Sequence, residues 1–116
     1  MFKHDEEWDA WLAELNGIEF ICEEPSEELE ETAKRLAEVY EDRLPALAEF
    51  ILEEMETDGL DFGPLTVPEL TAALGKPQID LDTSVIHYME QTLGDHVFDV
   101  EYDGDLEEFL IFTLDG

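Results

Sequence analysis

Between Ser26 and Thr57 the apolar residues Leu29, Ala33, Leu36, Tyr40, Leu44, Leu47, Ile51 and Met55 recur at gaps of 4, 3, 4, 4, 3, 4 and 4. That spacing draws one stripe along an α-helix and is incompatible with a strand face. Most polar residues of the stretch are Glu, so a greasy stripe with an acidic back must find an apolar partner. Ser26 predicts an N-cap, and Glu27, Glu28, Glu30 and Glu31 stand where the helix dipole favours negative charge. Pro45 interrupts the stripe. Its ring clashes with a preceding helical turn, which predicts two helices, about 26–41 and about 44–57, the second closed by Asp58-Gly59. Asp61-Phe62-Gly63-Pro64 reads as loop. A third, short helix follows, with Thr66 as N-cap, Pro68 and Glu69 in its first turn, and its end at Leu74-Gly75.

Elsewhere the period shortens to two. Ile79 and Leu81 alternate with Asp80 and Asp82, and Phe98, Val100 and Tyr102 alternate with Asp99, Glu101 and Asp103. Such alternation marks half-buried strands with one acidic face. Asp103-Gly104-Asp105 is a turn, and Phe109 to Leu114 returns from it. Val85 to Glu90 favours a strand by its β-branched and aromatic content, with a helical turn as the competing reading. Residues 5–16 also admit two readings. Trp8, Trp11, Leu12 and Leu15 have helical spacing with Gly17 as a cap. Asn16-Gly17 is instead a strong hairpin signal, placing Trp11, Ala13 and Leu15 on one arm and Ile18, Phe20 and Cys22 on the other. The hairpin is preferred. The resulting expectation is one α+β domain over residues 1–116: an antiparallel sheet of about six strands, built from an N-terminal hairpin and a C-terminal meander, with three helices on one face.

Charge changes the picture most. The 116 residues hold 33 acids against 5 bases, a formal net charge of −28. Both halves are acidic, with 20 acids and 3 bases from Asp5 to Asp58 and 13 acids and 1 base from Gly59 to Gly116. Self-repulsion of this size opposes compaction and repels DNA, RNA and anionic membranes, so nucleic-acid binding is excluded and a basic partner protein is favoured. The 44% hydrophobic content still calls for a globular core. No apolar run reaches the ~18 residues of a membrane span, and the N-terminus lacks a signal-peptide pattern. One cysteine, Cys22, cannot pair internally, which fits a reducing, cytoplasmic setting.

Candidate chemistry is sparse. Asp99-x-Glu101-x-Asp103-Gly104 imitates the opening of a calcium loop, but Leu110 occupies the twelfth place where a bidentate Glu belongs. Asp80-x-Asp82-x-Ser84 has Val85 where the glycine should be. His4, His87 and His96 are scattered, with no zinc-binding pair among them. Cys22 precedes Glu23 and Glu24, whose charge raises a thiol pKa and disfavours a reactive thiolate. Among so many acids, chance carboxylate pairs carry no catalytic information, and there is no glycine-rich phosphate loop. Of the aromatic candidates Trp8, Trp11 and Phe62, Trp11 is expected in the core, and Trp8, surrounded by acids, is the exposed anchor.

One resemblance adds to this. Leu74-Gly75-Lys76-Pro77-Gln78-Ile79, the tyrosine strand at Tyr88, His96 to Phe109 and the ending Leu114-Asp115-Gly116 resemble small acidic bacterial domains of unknown function, similar in size and acidity to the toxin-immunity class. The likeness spans about the last forty residues and transfers a fold, with no functional residue. The chain is therefore read as a non-enzymatic, cofactor-free and metal-free binding module for a basic partner protein, of immunity type. Trp8, Asp99, Glu101, Asp103, Asp105 and Glu107 are its expected contacts. Two alternatives stand beside this reading: a DNA mimic displaying carboxylates from the 26–57 helices, and a salt-adapted domain of unrelated function.

Overall fold

A computed structural model describes residues 1–57, 59, 65–93 and 96–115. Its elements are β1 (Lys3–Asp5), β2 (Ala10–Leu15), β3 (Ile18–Cys22), α1 (Glu27–Thr57), α2 (Val67–Leu74), β4 (Gln78–Asp80), β5 (Val85–Tyr88), β6 (Val97–Asp103) and β7 (Glu108–Asp115). At the N-terminus the hairpin prevails. Asn16 (φ 52°) and Gly17 (φ 79°) both take left-handed backbone, as a two-residue turn of matching twist requires, and pair Leu15 with Ile18. Val85–Tyr88 is likewise a strand. The expected loop at Asp61-Phe62-Gly63-Pro64 lies outside the described residues.

Three expectations about the architecture are corrected. Among the described residues the sheet has seven strands in sequential order, with Lys3–Asp5 as an additional edge strand paired to β2. Its three polar residues carry no alternation of their own, and only the adjacent β2 makes them a strand. The sheet is also mixed, because β3 and β4 run parallel while every other pair is antiparallel. Parallel neighbours require a crossover, and α1 and α2 supply it across one face. Finally, the described residues contain two helices, since α1 runs unbroken through Pro45 for 31 residues. A proline inside a helix costs about 3 kcal/mol. Beyond it Leu47, Ile51 and Met55 are all buried, and each such side chain contributes roughly 1.5–3 kcal/mol, so carrying the stripe onward outweighs the break. Pro45 and Glu41, whose carbonyl loses its donor, both lie on the exposed side of the helix.

The helix ends follow the sequence. Ser26 Oγ accepts from the Leu29 N–H (3.1 Å), and Thr66 with Glu69 forms a reciprocal capping box at the start of α2. α2 stops at Gly75 (φ 74°), where a Cβ would stand 3.1 Å from the Glu90 carbonyl oxygen. Between helices and sheet lies one core. Leu36, Tyr40, Leu47 and Ile51 of α1 and Leu70 and Leu74 of α2 meet Ile18, Phe20, Ile79, Ile86, Phe98 and Val100 of the sheet. No helix among the described residues is long and apolar enough to cross a membrane.

Candidate functional site

The strand register places the remaining sheet residues on the face opposite the helices, and no described element covers that face. Two neighbouring rows cross it. The first joins Lys3, Leu12, Ile21, Asp80, Val85, Glu101 and Ile111 as successive Cα partners through all seven strands. The second joins Glu14, Glu19, Gln78, His87, Asp99 and Thr113 from β2 to β7. At about 4.8 Å per strand, the longer row spans roughly 29 Å. One row mixes aliphatic and charged side chains. The other is polar throughout.

Hydrogen bonds within the polar row explain how it is tolerated. Glu14 stands directly opposite Glu19, an arrangement that destabilises a sheet when left unrelieved. Lys76 Nζ approaches Glu14 Oε2 at 3.1 Å, and Gln78 Nε2 donates to Glu19 Oε1 at 2.5 Å, so each carboxylate has its own partner. Next along the row, His87 Nδ1–H donates to Asp99 Oδ1 at 2.6 Å. Both side chains of this pair are mostly withdrawn from water, which strengthens the bond and fixes the imidazole orientation. In register, His87 lies between Gln78 and Asp99.

The acids singled out in the sequence divide between two places. Asp99 and Glu101 lie on the uncovered face, Asp99 bonded to His87 and Glu101 between Val85 and Ile111. Asp103 ends β6, its Oδ1 accepting from the Gly104 N–H at 2.9 Å. Asp105 is turned instead toward α1, where Arg35 Nε stands 3.2 Å from Oδ2. Glu107 sits in the same turn. Arg43 of α1 donates through Nε to the Leu106 carbonyl (2.8 Å) and through Nη2 to the Glu107 carbonyl (3.2 Å), and lies over the Phe109 ring. Leu106 itself has a φ of 63° and is fully buried. Left-handed backbone costs a leucine about 1–2 kcal/mol, which the burial of its side chain offsets. The β6–β7 turn is thus clamped to α1, and its acids are not one cluster.

Trp8 is half exposed, at 50%, in the β1–β2 connection, at the opposite end of the sheet from the acids. Trp11 packs against the core. Cys22 is buried on the helix side. Its thiol is pushed up to about 11, first by burial and then by Asp82 and Asp80, so the acids acting on it are not the adjacent Glu23 and Glu24 that the sequence suggested. Among the described residues, no group of three or more His, Cys, Asp or Glu is placed to hold a metal ion. Sequence reasoning missed Glu14, Glu19, Gln78 and His87 as members of one row. Alternation marks Glu19 as outward-facing, but the pairing of His87 with Asp99 follows only from the β5–β6 register. No family model, curated protein or solved structure matches the chain.

Proposed function

We propose that this chain is a non-enzymatic binding domain of toxin-immunity type, which docks a basic partner protein on the uncovered face of its sheet. The observation that carries the reading is the row that runs from Lys3 through Leu12 and Ile21 and then alternates Asp80, Val85, Glu101 and Ile111, beside a second row holding Glu14, Glu19 and Asp99. Acids attract and orient a cationic surface, and aliphatic side chains between them exclude water once contact is made. The oriented His87–Asp99 pair serves as a fixed hydrogen-bonding feature of this surface. The buried thiol of Cys22 suits a reducing, cytoplasmic setting.

The test is kinetic. The basic protein retained from host extract at low salt is purified, and its association and dissociation rates are measured from about 0.1 M to about 1 M salt. Steered docking lowers the association rate by at least about tenfold over that range and leaves dissociation nearly constant. Glu101→Lys lowers the association rate further. Rates indifferent to salt and to this substitution overturn the proposal.

A second reading has its own support. Exposed acids also cover the solvent side of α1, including Glu31, Glu38, Glu41, Glu49, Glu53 and Glu56, so the net charge of −28 is spread over both sides of a 6864 Å² surface. A charge so distributed suits adaptation to concentrated salt, with thermal stability against salt as its test.

A further inference from the structure

The two edges of the sheet are unequal. β1 is three residues long and carries Lys3, and both features discourage another strand from joining it. β7 is eight residues long and contains no proline, glycine or lysine. Between Glu108 and Asp115 it is uncharged, with Phe109, Ile111, Phe112 and Thr113 all favouring extended structure. It pairs with β6 alone, so along its outer side the backbone N–H and C=O groups have no strand partner among the described residues. A bulge sets Leu110 out of register, between the Glu101–Ile111 and Tyr102–Phe109 pairs. Leu110 and Ile111 are exposed by 45% and 52%. From Ile111 onward the strand is regular. That half of the edge is unguarded.

A second copy of this chain is a poor occupant, because pairing β7 with itself joins two bodies each of net charge −28. A strand of opposite charge meets the reverse condition. On the uncovered face, Ile111 is flanked by Glu101 and Thr113 by Asp99, one strand inward from the edge. Long basic side chains on an added strand would lie over Ile111 and Thr113 toward these carboxylates. On the helix side they would be replaced by apolar residues beside Phe112 and Leu114, which pack on the core. We infer that β7 receives an extended segment of the basic partner as an eighth strand, with Lys or Arg alternating with aliphatic residues. Main-chain hydrogen bonds would hold it and the alternating side chains would select it. The inference rests on the proposed basic partner and specifies how that partner is held.

The probe is a synthetic peptide as long as β7, eight residues, alternating Lys and Val, titrated into the whole chain. Three companions accompany it: a Glu–Val version, the Lys–Val peptide N-methylated at alternate residues to remove the donors of one edge, and the chain variant Ile111→Lys. The Lys–Val peptide is expected to bind, and to slow hydrogen exchange at β7 amides. N-methylation and Ile111→Lys are each expected to weaken binding at least about tenfold, as lost strand pairing and a guarded edge require, and the Glu–Val peptide to fail. Position 111 is exposed, so the variant is expected to melt like the parent. Equal binding of the methylated peptide, or protection confined to residues away from β7, overturns the edge assignment and leaves the basic-partner reading standing. No binding of any Lys–Val peptide overturns the edge inference, and the basic-partner reading then stands or falls on its own salt-dependent association kinetics. Sedimentation as a dimer that Ile111→Lys dissociates makes a second copy the occupant and also overturns the inference.

Discussion

Inside the core the hydroxyls of Tyr40 and Tyr88 lie 2.6 Å apart, each serving as the other's hydrogen-bonding partner. Removing one strands the other in an apolar site, at a cost of about 1–3 kcal/mol, whereas removing both leaves nothing to satisfy. Urea denaturation is therefore expected to show Tyr88→Phe clearly destabilised and Tyr40→Phe/Tyr88→Phe less so than the sum of the single changes. Burial also opposes the ionisation of these phenols, of Tyr102 and of the Cys22 thiol. Cys22 is pushed up to about 11, Tyr40 and Tyr102 each to about 12, and Tyr88 upward as well. For each, the native state holds a proton that the unfolded chain gives up more readily. Their contribution to stability is complete below the unfolded values of 9.0 and 10.0 and is lost as pH rises through the folded ones. Stability measured by urea titration is thus expected to fall from pH 9 to 12, and Cys22→Ala to flatten the first part of that fall.

Among the elements, α1 is the informative case. The 3–4 spacing was legible from Leu29 to Met55, and so was Ser26 as its cap. Its continuity through Pro45 was not legible, because the local rule for proline has no knowledge of the sheet on which Leu47, Ala48 and Ile51 are buried. Pro45→Ala restores a donor to the Glu41 carbonyl and is expected to raise stability by up to about 3 kcal/mol, with no change in helix content by circular dichroism. A fall in stability would show that the ring itself packs usefully. The candidate site divides in the same way. Alternation in β6 put Asp99, Glu101 and Asp103 on a common acidic face, while nothing local revealed that Arg35 of α1 would draw Asp105 to the other side.

On the scale of the whole molecule, charge and size meet. The principal extents are 42, 28 and 21 Å. At about 0.01 M salt the screening length is ~30 Å, so charges on opposite sides repel one another, whereas at about 1 M it is ~3 Å and only close neighbours interact. With a net charge of −28 the melting temperature is expected to climb as salt is added. A chain already cooperative and stable in dilute buffer favours the binding-domain reading. One that lacks a cooperative transition until salt reaches the molar range favours adaptation to salt.

What the sequence determined by itself is what depends on near neighbours. Hydrophobic period marked the stripe of α1 and the alternation of β6, Asn16-Gly17 favoured the hairpin, Thr66 marked the cap of α2, and composition set the charge. Tertiary structure decided whatever depends on partners distant in the chain. β1 exists only beside β2, and β3 lies parallel to β4 only because α1 and α2 return the chain across one face. His87 meets Asp99 only through the register of two strands, and β7 is an edge because, among the described residues, β6 alone pairs with it. Local spacing records which way a side chain faces. Which side chain stands opposite is a property of the assembled sheet.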